Sequence, residues 1–311
     1  MRVFVTGATG FIGTAVVREL LDAGHEVLGL ARSDRAEAAL AAAGARAHRG
    51  DLDDLDSLRA GAAASDGVVH TAFDHGLDDR TAGEGVIDGA GIDFAGAAAK
   101  DRRAVEALGE ALAGSGKPLV ITGGTSGLAA GRLATEDSVP EPDSLAGLRF
   151  AVEEAAMRFA GRGVRVSAVR LPPTVHDEGD HGFVPMLIAV ARARGVSAYP
   201  GDGANRWPAV HRPDAAHLYR LAVERAPAGS RLHGVGEEGV PVRDIAEAIG
   251  RHLDLPVTAV PHEEAADHFG FLGPIFSMDV PASSEATRRR LDWHPAGLGL
   301  IADLDKGHYF S

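Results

Sequence analysis

Three glycines, Gly7, Gly10 and Gly13 in VTGATGFIG (5–13), follow a short apolar run and open an amphipathic one. Residues of this type at G-x-x-G-x-x-G spacing suit the chemistry of holding a diphosphate. Gly7 permits a tight turn, Gly10 lets the backbone approach a pyrophosphate, and Gly13 allows close helix–strand packing. The N–H groups and dipole of the helix start then favour the phosphates. The spacing is one residue longer than the usual dinucleotide fingerprint, so its place on a first strand–helix turn carries the reading. Thr9, Phe11 and Ile12 complete the loop and are taken as cofactor contacts with the glycines.

Two other stretches could move protons. VHDEGDH (175–181) puts His176 among Asp177, Glu178, Asp180 and His181. An imidazole titrates in the range useful for acid–base catalysis, and neighbouring carboxylates tune it. Its spacing matches no helix-borne metal motif, so a solvated loop is preferred and no metal is expected. ITGGTSG (121–127) offers the hydroxyls of Thr125 and Ser126, either to a substrate oxygen or to their own turn backbone. Ser126 narrowly misses a hydrolase nucleophile elbow, with Gly124 two before it but Leu128 two after. Tyr199, Trp207 and His211 fall later and could line a pocket; for Trp207, buried aromatic packing is an equal reading.

The elements that must position these groups alternate. RVFVT (2–6), HEVLGLA (25–31), ARAHRG (45–50), GVVHTAF (67–73), PLVITGG (118–124) and VRVSAVRL (164–171) read as six strands. Helical patterns lie between them, at 11–23, 34–43, 54–61, within 95–113 and at 144–161. Such alternation predicts an α/β fold, a doubly wound parallel sheet of Rossmann type. Residues 1–175 form the dinucleotide-binding domain, with 205–235 returning to it; 176–204 and 236–311 form a smaller C-terminal substrate-binding lobe. The Gly- and Asp-rich connection at 74–96 is long enough to be a mobile loop or lid.

The bulk properties narrow the class. A net charge of −13 gives no basic face for nucleic acid. The chain has no cysteine, no apolar run of membrane-spanning length and no basic-apolar leader, so a cytoplasmic protein is expected. Its partner is then a small-molecule substrate, handled by a monomer or a homodimer.

The motifs resemble those of the extended and atypical short-chain dehydrogenase/reductases, the NAD-dependent epimerase/dehydratase-like group. TGATGFIG resembles the phosphate loop, and Asp51-Leu52 the adenine-contacting pair. VVHTAF, with Thr71, Ala72 and Phe73, resembles the fourth-strand segment beside the cofactor; NRWPAVHRPDAAHLYRLA (205–222) resembles the return segment, and LDWHP (291–295) a carboxyl-terminal signature. The resemblance places Thr122, Leu171 and Pro172 at the cofactor as well. Arg32 and Ser33 end the second strand where an acidic residue would select NAD, and a guanidinium pairs well with a 2′-phosphate. NADP(H) is therefore preferred, with Asp34 keeping NAD(H) as the alternative.

The resemblance also implies a Tyr-x-x-x-Lys pair, the Tyr giving or taking a proton and the Lys holding the ribose. Tyr199, Tyr219 and Tyr309 are the only tyrosines, Lys100, Lys117 and Lys306 the only lysines, and no lysine lies four after a tyrosine. The register taken puts Arg149 in the Tyr place and Glu153 in the Lys place. Arg149 cannot titrate but can bind a carboxylate, phosphate or oxyanion; an i,i+4 ion pair between the two is the favoured alternative. The expected activity is an NADP(H)-dependent oxidoreductase that reduces a carbonyl or related unsaturated small molecule. Thr125, Ser126, Arg149, His176 and Tyr199 are its candidate catalytic groups. A nucleotide-sugar epimerase or dehydratase, and a non-catalytic NADP(H)-binding sensor, are the alternatives.

Overall fold

Among the described residues, strands and α-helices alternate through the first 171 positions. The structure, a computed structural model, describes residues 1–74, 93–129, 131–140 and 144–311. Residues 75–92 of the expected loop or lid lie outside the described residues. The order is β1 (Arg2–Thr6), α1 (Phe11–Asp22), β2 (Glu26–Ala31), α2 (Asp34–Ala42), β3 (Arg46–Arg49), α3 (Leu55–Ala63) and β4 (Gly67–His70). There follow α4 (Phe94–Leu112), β5 (Pro118–Gly124), α5 (Leu145–Met157) and β6 (Arg165–Leu171). Helix starts are marked by side chains that accept an orphan N–H: Ser33 from Ala36, Asp54 from Ser57, Asp93 from Gly96 and Ser144 from Gly147.

Beyond β6 the chain builds β7 (Thr174–His176), α6 (Phe183–Arg194), β8 (Ser197–Pro200), β9 (Arg206–His211) and α7 (Arg212–Arg225). It continues through β10 (Ser230–His233), β11 (Glu237–Pro241), α8 (Val242–Leu253) and β12 (Val257–Val260). Four short helices close the chain: α9 (Ala265–Phe269), α10 (Leu272–Phe276), α11 (Glu285–Leu291) and α12 (Leu300–Leu304).

The main sheet has seven parallel strands in the order β10-β6-β5-β4-β1-β2-β3. The strand order reverses between β1 and β4, and that crevice is where sheets of this kind receive ligand. Helices α1 and α7 cover one face, burying Val16, Leu20, Leu218 and Tyr219, while α3, α4 and α5 cover the other around Leu58, Leu108 and Val152. The seventh strand, β10, is missing from the six-strand reading because SRLH is short and half polar. The fourth strand stops at His70 rather than Phe73. The helix expected over 144–161 gives way after Met157 to a 3-10 turn (Arg158–Arg162) ended by Gly163 at φ 73°.

The smaller part has its own core, with Trp207 edge-on to Phe183 and Phe276 at 5.6 and 5.2 Å. There β9 pairs with β7 and β11, and β8 with β12. Trp293 of LDWHP is fully buried and donates to the Asp214 carbonyl at 3.1 Å, tying the end of the chain to α7.

Candidate active site

The glycine loop leaves β1 at Gly7, whose φ of +67° is open mainly to glycine; a Cβ there would also lie 2.7 Å from the Ala72 nitrogen. Gly13 is the tightest of the three, since a Cβ would sit 1.9 Å from the Gly7 carbonyl oxygen. Gly10 is exposed and starts α1 without a side-chain cap. The N–H groups of the first turn of α1 therefore remain for an anion, and the residues fit a dinucleotide diphosphate. Thr9 is exposed beside it, Phe11 and Ile12 are partly buried, and Ile12 packs on the core. Phe11 carries the Arg212 guanidinium 4.7 Å from its ring centre and lies edge-on to His181 at 5.8 Å, so the smaller part of the chain reaches the loop.

At the end of β2, Arg32 is exposed and pairs with no carboxylate among the described residues. Ser33 caps α2. Asp34 is taken up by Arg49, at 2.6 Å, as is Glu37 at 3.3 Å. Asp51 uses Oδ1 to accept the N–H groups of Asp53 and Asp54 at 2.9 and 3.0 Å, which shapes the turn after β3; Leu52 packs on the core below α3.

A buried chain of polar groups runs beneath the crevice. Thr6 Oγ1 and His70 Nδ1 are 2.7 Å apart, and His70 Nε2 and Asp101 Oδ1 2.8 Å. Asp101 Oδ2 then accepts from Arg149 Nη1 at 2.6 Å. A carboxylate only accepts, so His70 Nε2–H donates to Asp101, while the Thr6 hydroxyl is the hydrogen-bond partner of Nδ1. Arg149 Nη2 donates to the Thr122 carbonyl at 3.0 Å, and the guanidinium lies 4.0 Å from the Phe73 ring centre. Thr122 Oγ1 bonds the His70 carbonyl and, at 2.7 Å, the Tyr219 hydroxyl, whose pKa burial pushes well up. Thr71 Oγ1 donates to the Thr6 carbonyl, and the Ala72 N–H reaches Thr6 Oγ1 at 3.4 Å.

The favoured i,i+4 pair is replaced by two separate buried systems. Arg149 turns to Asp101, whereas Glu153 accepts from Arg170 Nε and Nη2 at 2.9 and 2.7 Å and from Arg231 Nε at 2.7 Å. Buried Arg170 on β6 needs a carboxylate to offset its charge, and Glu153 supplies it.

Past β5, Thr125 is buried and its N–H donates to the Leu171 carbonyl, while its hydroxyl has no hydrogen-bond partner among the described residues. Ser126 is partly exposed next to it, and Leu171 and Pro172 are buried at the end of β6. His176 is fully buried, with Nδ1 3.0 Å from Asp303 Oδ2, and burial pulls its pKa down. Asp177, His211 and Asp303 bring one donor atom each within 4.8 Å of one another, a set that could hold a cation. Arg212 already pairs with Asp177 at 2.9 Å, and His176 with Asp303. Asp180 is pushed up to about 6 by burial and accepts from Tyr309 at 3.0 Å. Tyr199 on β8 lies under Arg243, with Gly203 at its ring. The sequence reading passed over Asp101, Tyr219, Arg212 and Asp303. A signal existed for Asp101, which interrupts the buried stripe Ala98, Ala104, Val105, Leu108 of α4.

The model of the NAD dependent epimerase/dehydratase family matches residues 3–87, over the glycine loop and the first four strands. A Schizosaccharomyces pombe protein, uncharacterized, is 50% identical over 312 residues and 100% of both chains. The chain belongs to the NAD dependent epimerase/dehydratase family. The UDP-glucose 4-epimerase of Streptomyces lividans is 28% identical over 99% of this chain and 96% of its own. The 2-alkyl-3-oxoalkanoate reductase of Stenotrophomonas maltophilia is 27% identical over 82% and 77%. In fold the chain is similar to the dTDP-glucose 4,6-dehydratase DesIV of Streptomyces venezuelae, solved with NAD. There the TM-score is 0.76 at 21% identity, covering 99% of this chain and 96% of that one. No described helix is long and apolar enough to cross a membrane.

Proposed function

We propose that the protein is an NADP(H)-dependent reductase of a small carbonyl compound. The observation that carries this reading is Arg149, a permanent cation pinned at the carboxyl ends of β4 and β5 by Asp101 and the Thr122 carbonyl. That is the edge at which ligand enters a doubly wound sheet. Its contacts with Thr122 and Phe73 suit the ribose-holding role of the family's lysine. The matching register is then one turn earlier than the sequence reading, with Leu145 four residues before Arg149. Arg32 favours the 2′-phosphate, because Arg49 already occupies Asp34.

Bound in this crevice, a reduced nicotinamide would supply hydride to the carbonyl carbon, and the carbonyl oxygen would take a proton. Thr125 is suited to hold that oxygen, since its buried hydroxyl has no partner among the described residues, with Ser126 beside it. Water at the partly exposed Ser126 hydroxyl is a better proton source than His176, buried against Asp303, or Tyr199, beneath Arg243. The substrate is selected by the part of the chain built from 176–204 and 236–311, in a cytoplasmic setting that a cysteine-free chain suits. The named reductase relative supports reduction; the named epimerase relative favours the second reading, epimerisation of a nucleotide sugar on bound NAD.

The test is a carbonyl-substrate screen that follows loss of NADPH absorbance. Turnover with a 3-oxo or related carbonyl compound supports the proposal. Epimerised UDP-glucose without net cofactor consumption would replace it. Tight NADPH binding with no turnover across the screen would leave a cofactor sensor.

A further inference from the structure

A carboxylate as buried as Asp101 is costly unless its charge is matched, and α4 could have carried an Ala on the same stripe at no cost. What this Asp gains is a connected path. One end is Thr6, the residue before Gly7 of the phosphate loop; the other is Arg149, 18% exposed at the crevice. His70 fixes which oxygen of Asp101 is free for the guanidinium, and the Thr122 carbonyl and Phe73 ring fix its plane. A guanidinium held on two edges and one face has lost its rotamer freedom before any ligand arrives, which is what a preorganised binding group requires.

We propose that Asp101, aligned by His70, is a positioning residue that sets Arg149 for the nicotinamide half of the cofactor and joins it to the phosphate loop. The inference rests on the cofactor reading above and adds a division of labour to it. Arg149 and its supports act on the nicotinamide-riboside end, while the adenosine end is held independently by Arg32 and the turn at Asp51.

Two ligands separate these ends: NADPH, and adenosine 2′,5′-bisphosphate, which lacks the nicotinamide riboside. Their dissociation constants are measured for the wild type, Asp101→Asn and His70→Gln by titration calorimetry. Asp101→Asn is expected to weaken NADPH about tenfold, and His70→Gln by a smaller factor in the same direction, with adenosine 2′,5′-bisphosphate changed less than about twofold in both. Equal weakening of the two ligands would mean that the chain only staples the fold, and an unchanged NADPH constant would mean that Arg149 does not serve that half; either overturns the proposal. Should Asp101→Asn fail to fold, His70→Gln carries the same comparison, because its glutamine can still donate to Asp101 while losing Thr6. Failure of the wild type to bind either ligand would instead remove the cofactor reading beneath it.

Discussion

Thr125 and Arg32 give the most direct tests at the scale of single residues. The Thr125 hydroxyl is buried without a hydrogen-bond partner among the described residues, so its replacement by a methyl of the same shape removes no hydrogen bond to them. Thr125→Val is expected to leave the melting temperature unchanged or raised and to lower kcat for carbonyl reduction roughly tenfold. A loss of stability with activity intact would reverse that assignment. Arg32→Ala should weaken NADPH by about tenfold and leave NADH unchanged, since only the first offers a 2′-phosphate for a charge-assisted bond. Fluorescence titration of the two cofactors gives the ratio. Individual residues were legible where backbone geometry dictated the type, as at Gly7 and Gly13. Arg149 was found but assigned the wrong partner, because helical spacing names the neighbours on one helix and says nothing of Asp101 on the next.

Among the elements, α5, β6 and β10 meet at Glu153, which accepts from Arg170 of β6 and Arg231 of β10. Breaking one side of a buried pair strands the other charge. Glu153→Gln is expected to lower unfolding free energy by about 3 kcal/mol, read from the urea midpoint at constant slope. An effect near zero would show that Arg170 is satisfied by the Glu136 and Ser138 carbonyls alone. At this scale the sequence was readable wherever periodicity was strong. The six alternating strands and the helices between them stand within a few residues of their expected places. Short strands such as β7, β8 and β12 were not, because three or four residues hold too little pattern to separate pairing from turn. β10 belongs with them, and only its place beside β6 reveals it as sheet.

Across the whole molecule, the smaller part of the chain meets the larger where Asp177 pairs with Arg212 of α7, and beside that contact Asp180 accepts from Tyr309. Burial lifts Asp180 from its ordinary 3.8 to about 6, so the folded protein holds a proton there that the unfolded chain releases. The stability this contributes is complete below about pH 4 and is lost as pH rises through 6. Asp180→Asn keeps a neutral group in place and should flatten that part of the melting-temperature profile, raising stability most at pH 7 and above. An unaltered slope between pH 4 and 7 would assign the titration elsewhere.

The return of β10 to the edge of the main sheet has a further consequence, in the order of synthesis. While the ribosome is still making residues up to 229, the β6 flank has every other neighbour it will have, yet its outer row of backbone groups faces water. An uncovered strand edge is a template for pairing with another chain. Nascent chains arrested before Ser230 should therefore aggregate or recruit holdase chaperones, and chains arrested well past His233, clear of the exit tunnel, should not. Comparing their pelleting after release would place the moment at which the molecule becomes safe from its own copies.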